Sequence, residues 1–307
     1  MSGRVKVVVT GATGFVGRAL VPALVAAGHE VTALTRATSH AVGLGASRVV
    51  QCDLEDAATL AQILDGHDAI IHLAGEPLDA RRWDARQKQR IRDSRVESTR
   101  AIVEALGSLT SRPRALITAS GIDYYGYASG PLDDDEVTEA DPPGESFLSR
   151  VCRDWEREGD AATALGVRVV HLRMGLVLAR GGGALARMTT PFKLFAGGKI
   201  GSGKQWVSWI HRDDAVAAYL AALTDDRYTG AINAVTDSTR NADFSAAIGH
   251  ALHRPSWLPV PAFAVKTAVG ELAESILNGR RAVPAKLRTL GFTWKHPTLD
   301  DAVAAAL

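Results

Sequence analysis

A short apolar run that breaks at a glycine constrains this chain more than any other feature, because it lies almost at the first residue. Val7–Val9 form the run and Gly11 breaks it. Apolar residues then recur at helical spacing, at Val16, Leu20 and Leu24. A strand, a tight turn and a helix are therefore predicted. Glycines let such a turn approach a pyrophosphate closely, and free amides at the helix start attract anionic oxygens, so the pattern favours a dinucleotide ligand.

The glycines of this turn follow the spacing Gly11-x-x-Gly14-x-x-Gly17. Spacing alone is weak evidence, and a turn that only joins a strand to a helix is the alternative interpretation. The strand before and the helix after it strengthen the cofactor interpretation. The stretch from Thr10 to Gly17 resembles the cofactor turn of extended and atypical short-chain dehydrogenase/reductases. The resemblance implies that this turn is one end of a dinucleotide site.

Strand-like and helix-like segments alternate up to Arg173, which predicts an α/β fold with a doubly wound, Rossmann-like parallel sheet. A chain of 307 residues has room for such a unit and a smaller lobe. We predict an NADP-binding domain at residues 1–178 and a smaller C-terminal α/β substrate lobe at residues 179–307, with later segments free to return to the sheet. His72 lies inside an apolar run and is interpreted as a core histidine.

The end of the second predicted strand indicates which dinucleotide binds. An NAD-preferring protein usually has an acid there, which binds the ribose hydroxyls. Thr35 and Arg36 occupy this place instead. A guanidinium can hold a 2′-phosphate, so NADP is predicted, with NADPH preferred over NADH. The alternative is that Arg36 is a solvated arginine after a strand.

Other cofactor contacts are predicted where later strands end, because ligands of open parallel sheets bind beyond the carboxyl ends of the strands. The resemblance implies that Asp53 faces the adenine, although Asp53 could also cap the next helix. Small residues at Ala74 and Gly75 would let the cofactor pass close to the backbone. The complete predicted set is Gly11, Thr13, Gly14, Phe15, Val16, Gly17, Arg36, Asp53, Leu54, Leu73, Ala74, Gly75, Ala119, Ser120, Met174 and Gly175.

Motifs in the rest of the chain indicate which branch of the family the chain resembles. They are Arg81–Trp83, Gly203-x-Gln205-Trp206-x-Ser208-Trp209-Ile210-His211, Asn241–Phe244, Arg254-Pro255, Val260–Ala262, Gly270–Glu274 and Gly291-Phe292. Together they resemble the SulA-type, nucleoside-diphosphate-sugar-epimerase-like branch of atypical short-chain dehydrogenase/reductases, which ends in a domain of unknown function. The resemblance spans nearly the whole chain and implies an oxidoreductase or an epimerase.

The usual proton-transfer pair of this superfamily is missing. Ordinary members have a tyrosine and a lysine four residues apart on the helix after the fifth strand, where the lysine lowers the pKa of the phenol. The corresponding residues here are Leu148 and Cys152. No tyrosine in the chain is followed four residues later by a lysine. The usual serine or threonine after the fifth strand falls at Gly121.

Three replacements are open. Tyr124 or Tyr125 could donate a proton, or could form walls of a substrate pocket. Ser120 could orient a carbonyl group. Cys152 could act as a thiol, although a cysteine on an apolar helix face is usually a small buried hydrophobe.

Substrate contacts are predicted at Arg81, Trp83, Tyr124 and Trp206. The region from Arg81 to Gly107 is locally basic, and a solvated helix face is the first explanation of its charges. The alternative is that Arg81 and Arg82 point into the cleft toward an anionic substrate.

Composition and other motifs exclude several classes of protein. A net charge of +1 favours neither nucleic acid nor membrane as a partner, and two cysteines fit a reducing compartment, so cytoplasm is expected. The P-loop-like stretch Gly198–Gln205 lacks the hydroxyl residue that would hold magnesium. The acidic run Asp133–Glu136 is interpreted as a solvated loop, and no metal site is predicted. The oligomeric state is left open.

Two functions fit these observations. The first is an NADP-dependent oxidoreductase or epimerase-like enzyme that acts on a small polar substrate by hydride transfer. An anionic substrate is one alternative. The second is a non-catalytic NADP-binding regulator or sensor. The missing tyrosine and lysine favour the second function, whereas the strand ends and the aromatic loop at Tyr124 favour the first. The enzyme is the favoured hypothesis.

Overall fold

The computed structural model describes residues 3–127 and 134–307. Their strands are β1 Lys6–Thr10, β2 Glu30–Thr35, β3 Arg48–Gln51, β4 Ala69–His72, β5 Ala115–Gly121, β6 Glu136–Val137, β7 Arg168–Met174, β8 Leu176–Leu178, β9 Trp206–His211, β10 Gly230–Ala234, β11 Asp237–Arg240 and β12 Arg281–Ala282. Their α-helices are α1 Gly17–Ala26, α2 Ala57–Leu64, α3 Ala85–Ser108, α4 Phe147–Asp160, α5 Gly183–Lys193, α6 Arg212–Thr224, α7 Asn241–Leu252, α8 Ala262–Val269, α9 Ala273–Leu277, α10 Ala285–Thr289 and α11 Leu299–Ala306. Short 3-10 helices lie at Thr38–Ala41, Ile122–Tyr125, Ala161–Leu165 and Gly270–Leu272.

Seven parallel strands form the main sheet, in the order β10-β7-β5-β4-β1-β2-β3. The chain winds outward from β1 in one direction through β2 and β3, and in the other through β4, β5, β7 and β10. This arrangement confirms the predicted doubly wound Rossmann-like sheet. The strand order reverses beside β1, and a sheet of this kind binds ligands at the carboxyl ends of the strands next to that reversal.

Both faces of the main sheet are covered by helices. On one face, α1 and α6 pack around a core that includes Leu20, Leu24 and Tyr219. On the other face, α2 and α3 contribute Leu60 and Ile102 to a second core. A sheet buried on both faces requires continuous apolar strands, which is why three consecutive valines, Val7–Val9, form the middle of β1.

A smaller lobe is built on β11-β9-β8, where β8 is parallel and β11 antiparallel to β9. Helices α5, α7 and α11 enclose its core, which includes Phe192, Trp209, Phe244 and Val303. Residues 212–234 nevertheless belong to the main sheet, because α6 packs on it and β10 pairs with β7. The chain therefore leaves the main sheet after β7, returns to it, and leaves it again.

His72 is fully buried at the end of β4. Its Nδ1 lies 2.7 Å from Oγ1 of Thr10 and its Nε2 lies 3.1 Å from Oγ of Ser98. Burial, assisted by the charge of Arg95, lowers the pKa of His72 to about 3. The ring is a neutral core residue, which confirms the interpretation made from the sequence.

Across residues 3–127 and 134–307, no helix combines the length and the apolar composition that crossing a membrane requires.

Candidate functional site

The glycine turn between β1 and α1 has no space for side chains at two of its positions. Gly11 has a φ of +66°, and a Cβ there would lie 2.7 Å from the backbone nitrogen of Ala74. A Cβ at Gly17 would overlap the carbonyl oxygen of Gly11 and lie 2.8 Å from Cα of Ala12. The turn closes through a 2.9 Å hydrogen bond from the Gly14 amide to the Gly11 carbonyl. The short distances show that the backbone of the turn lies tightly against the residues that follow β4.

The start of α1 is open to an anion. Val16 occupies the N-cap position, no side chain in the described parts of the chain caps the helix, and its first turn contains no acidic residue. Amides at an uncapped helix start are donors without an intrahelical partner, and the helix dipole favours negative charge there. The residues present therefore fit the pyrophosphate of a dinucleotide.

The other predicted cofactor residues lie along the same edge of the sheet. Register places the ends of neighbouring strands side by side, since Thr10 is opposite both Leu34 and His72. Gly121 is likewise opposite Met174. Leu73, Ala74 and Gly75 follow β4 at this edge, and Ala74 donates its amide to Oγ1 of Thr10 over 3.3 Å. Their contacts with a cofactor stay a prediction, but the structure brings them together.

Arg36 and Asp53 follow neighbouring strands at the far end of this edge. Arg36 is exposed, and among the described residues it has no ion-pair partner. Asp53 accepts a 3.1 Å hydrogen bond from the Glu55 amide. The cap of α2 is provided by Asp56, which accepts the Thr59 amide at 3.0 Å. The alternative role of Asp53 as a helix cap therefore falls to Asp56.

Phe15 connects the glycine turn to the smaller lobe. A Cβ on Gly182 or Gly183 would come within 3.0 Å of the Phe15 ring, and the Arg212 guanidinium carbon lies 5.2 Å from its centroid. The segment that leads into α5 therefore packs directly on the predicted cofactor turn.

A buried hydrogen-bond network lies beneath the predicted catalytic loop. Glu156 and Arg173 form its centre, with Nε and Nη2 of Arg173 donating to the two carboxylate oxygens over 2.9 and 2.8 Å. Ser120 donates to the same carboxylate over 2.6 Å. Nη1 of Arg173 donates to the Tyr125 hydroxyl over 2.9 Å, and that hydroxyl donates to Asn233 over 2.6 Å. The network joins β5, α4, β7 and β10.

These bonds engage two of the three predicted catalytic hydroxyl groups. The Ser120 hydroxyl and the Tyr125 hydroxyl both donate to buried partners. Burial raises the pKa of Tyr125 to about 12, although the charge of Arg173 acts in the opposite direction. The Tyr124 ring lies 3.4 Å from the Arg173 guanidinium carbon and is half-buried. Catalysis by these residues stays a prediction, and the contacts themselves favour structural roles for Ser120 and Tyr125.

The side chains at the positions of the usual tyrosine and lysine are buried. Leu148 is 3% exposed and packs with Trp83 and Ile91. Cys152 is also buried, and burial raises the pKa of its thiol to about 12, with the charges of Asp123 and Glu156 acting in the same direction. A thiol in this state is not a nucleophile at neutral pH.

Three of the predicted substrate residues have different surroundings in the structure. Arg81 is exposed. Trp83 is buried, donates its indole N–H to the Leu78 carbonyl over 2.7 Å, and packs edge-on against Phe147 at 5.4 Å. Trp206 is stacked by two guanidinium groups in the smaller lobe, Arg240 at 3.8 Å and Arg281 at 4.9 Å. Substrate contact by these side chains stays a prediction.

Asp123 is a candidate site residue to which the sequence interpretation gave no role. A Cβ on Gly121, the place of the usual serine or threonine, would lie 3.6 Å from Oδ2 of Asp123 and 3.7 Å from the Cys152 sulfur. Ser275 of α9 donates to the other carboxyl oxygen over 2.8 Å. Burial raises the pKa of Asp123, although the Ser275 hydrogen bond and the charge of Arg95 act against it. The signal in the sequence was a single acid two residues beyond Gly121, in the cleft loop.

Three possible metal ligands also come together at the start of α6. Ligand atoms of His211, Asp213 and His296 lie within 4.8 Å of one another. The Lys295 ammonium lies 2.6 Å from the Asp213 carboxylate. A lysine cation therefore already neutralises the carboxylate of this cluster.

Comparisons with known proteins agree with this architecture. Residues 7–234 match the NAD dependent epimerase/dehydratase family, and residues 260–306 match a domain of unknown function, DUF1731. The chain is 38% identical over 309 residues to the chloroplastic epimerase family protein SDR39U1 homolog of Arabidopsis thaliana, covering 99% of this chain and 87% of that protein.

Two of the similar solved structures share about a third of their aligned residues with this chain. Human epimerase family protein SDR39U1, isoform 2, crystallised with NADPH, has a TM-score of 0.86 and 32% identity, and the match covers 98% of each chain. The nucleoside-diphosphate sugar epimerase of Corynebacterium glutamicum has a TM-score of 0.79 and 32% identity, covering 100% of this chain and 59% of that one.

Proposed function

This chain belongs to the NAD dependent epimerase/dehydratase family, and we propose that it is an NADPH-dependent oxidoreductase that transfers hydride to or from a small polar substrate. The family and the terminal domain of unknown function confirm the resemblance drawn from the sequence motifs. One observation above all supports the proposal: the glycine turn holds an uncapped helix start at the sheet edge that also carries Arg36.

The choice of NADPH rests on charge. Arg36 follows β2, where a ribose-binding acid would favour NAD, and it is exposed. A free guanidinium at this point can bind the 2′-phosphate with two hydrogen bonds. The human relative with 32% identity was crystallised with NADPH, which supports the same choice.

Replacing Arg36 by Ala should weaken NADPH binding by about tenfold or more, because a charge-assisted phosphate contact contributes roughly 1.5–3 kcal/mol. Binding of NADH, which has no 2′-phosphate, should change little. Fluorescence titration of both cofactors checks this, with the exposed Arg227→Ala as the control variant. A wild type without preference for NADPH, or a variant that keeps the preference, would exclude the role given to Arg36.

A bound NADPH would supply the hydride, and the chain must supply the proton and the orientation of the substrate. Asp123 is the group that fits proton transfer, because its carboxylate lies close to Gly121, the place of the usual serine or threonine, and is half-buried. Its raised pKa favours the protonated carboxyl, which can donate a proton to a substrate oxygen. Ser275 holds the other carboxyl oxygen and fixes its orientation.

The variant Asp123→Asn should reduce NADPH-dependent turnover of a carbonyl compound by roughly 10²- to 10⁴-fold, the usual contribution of general acid catalysis. A proton donor works only while it is protonated, so wild-type turnover should fall as pH rises through the pKa of Asp123. That decline should be absent from the Asn variant. Steady-state rates across pH test this, with the exposed Asp226→Asn as control; an unchanged rate and pH profile in Asp123→Asn would refute it.

A second function has its own supporting observation. Leu148 and Cys152 are buried where the usual tyrosine and lysine would stand, so the fold could bind NADPH and report its presence to another molecule without catalysis. Binding of NADPH without any hydride transfer would favour this regulator over the enzyme.

A further inference from the structure

Arg95 does not belong to the solvated basic face expected for its helix. It lies on α3 and is half-buried, with its guanidinium carbon 5.5 Å from the centroid of the Trp155 ring. Within the described residues, all hydrogen bonds of the Arg95 guanidinium are donated by Nη1. Its acceptors are the carbonyls of Glu76 and Ile91, at 3.0 Å each, and the Ser94 hydroxyl, at 3.5 Å. Nε and Nη2 have no partner within the described ranges.

Arg95 also differs from Arg92 and Arg100 of the same helix in its charge balance. Arg92 pairs with Asp93 at 2.9 Å, and Arg100 pairs with Glu158 at 3.1 Å. For Arg95, none of the carboxylates in residues 3–127 and 134–307 lies within ion-pair distance. Burial lowers the pKa of Arg95, while Cys152, Glu76 and Asp123 act in the opposite direction. A guanidinium remains charged in proteins, so a partly buried cation is left without a counter-ion.

The Nε and Nη2 atoms of this guanidinium lie at the carboxyl-terminal edge of the main sheet, beside Gly75. A Cβ on Gly75 would stand 3.2 Å from Nη2 and 3.3 Å from Nε of Arg95. Gly75 follows β4, one strand away from Asp123 at the end of β5. Nε and Nη2 are the pair of parallel donors that binds both oxygens of a carboxylate.

We propose that Arg95 anchors the substrate by binding its carboxylate through Nε and Nη2. The inference rests on the proposed function and makes it more specific, since the substrate becomes a small carbonyl or hydroxy compound that carries a carboxylate. A singly charged carboxylate fits better than a phosphate dianion, because the nearby ionisable groups Glu76 and Asp123 are acidic.

The two arginines predicted to meet an anionic substrate are less suited to this role. Arg82 donates to the Thr267 carbonyl over 3.2 Å and packs against Gly270, which ties it to α8. Arg81 is exposed, and no hydrogen bond or ion pair with the described residues orients its guanidinium toward Asp123.

Calorimetric titration of the protein saturated with NADP⁺ tests this assignment. The probes are benzoylformate, a ketone beside a carboxylate, and benzoylformamide, its neutral match. Benzoylformate should bind about tenfold or more tightly than the amide, the usual difference for a charge-assisted bond. Arg95→Gln should remove that difference and leave NADP⁺ affinity unchanged. Arg95→Lys, which keeps the charge without the paired donors, should retain only part of it, and the exposed Arg86→Gln on the same helix should behave as wild type.

Three results would overturn the assignment: equal or absent binding of both probes, an unchanged preference in Arg95→Gln, or a large loss of NADP⁺ affinity in Arg95→Gln, which would assign the side chain to the cofactor. If Arg95→Gln does not fold, Arg95→Lys decides by the same criteria. Failure of the wild type to bind NADP⁺ at all would instead refute the proposed function, so the two failures are distinguishable.

Discussion

Replacing Arg173 by Met should lower the free energy of unfolding by about 3–5 kcal/mol, because it leaves the carboxylate of Glu156 buried without its cation. Both side chains are less than 9% exposed. The variant also removes a donor from the Tyr125 hydroxyl, whose other bond is to Asn233. Much of the loss therefore comes from the unpaired charge that remains, rather than from the net value of the ion pair.

Urea unfolding followed by circular dichroism measures this change. The matched control is Arg4→Met, which breaks an exposed pair with Glu30 and should cost at most about 1 kcal/mol. The double variant Arg173→Met with Glu156→Leu should recover part of the lost stability, since no charge is then left unpaired. Equal losses in Arg173→Met and the control would show that the network does not stabilise the fold as described.

Replacing Gly17 by Ala should reduce NADPH affinity by about 100-fold, or roughly 2.7 kcal/mol. The added Cβ would overlap the Gly11 carbonyl oxygen and approach Cα of Ala12 to 2.8 Å, so the turn must open. Opening moves the amides of Gly14 and the start of α1 away from the position in which they face a pyrophosphate.

Fluorescence titration with NADPH measures the effect, and circular dichroism shows whether the variant is folded. Gly107→Ala is the matched control, because Gly107 lies inside α3 and a Cβ there meets nothing within 4 Å. That control should bind NADPH as wild type does and be slightly more stable, as alanine is favoured over glycine in helices. Unchanged affinity in a folded Gly17→Ala protein would exclude the turn from the cofactor site.

Much of the main sheet could be predicted because its signals are local. The apolar run of β1, the break at Gly11 and the helical spacing of Leu20 and Leu24 lie within twenty residues, and the structure confirms the strand, turn and helix. The strands of the smaller lobe were harder to predict from the sequence. β8, β11 and β12 have two to four residues each, and their pairing depends on distant strands such as β9. Short strands of this kind have no periodicity to detect.

The candidate site also has a part that could be predicted from the sequence and a part that could not. The cofactor edge follows from strand order, so the residues predicted at strand ends lie together. Arg95 could not be singled out, because it is one of several arginines in the sequence of α3, and its packing against Trp155 of α4 depends on the tertiary fold. Ser120 and Tyr125 were predicted from their places at the end of β5 and in the loop that follows it. Their buried partners Glu156 and Asn233 are 36 and 108 residues away in the chain.

Transfer of an isotope label from NADPH to a substrate would show directly whether the protein catalyses hydride transfer. The protein is incubated with NADPH deuterated stereospecifically at C4 and with a panel of carbonyl compounds that includes carboxylate-bearing ketones and nucleotide sugars. Mass spectrometry then detects deuterium in the products. We expect deuterium at a former carbonyl carbon, delivered from one face of the nicotinamide only. Saturated NADPH binding with no deuterium in any product would contradict it and favour the non-catalytic regulator.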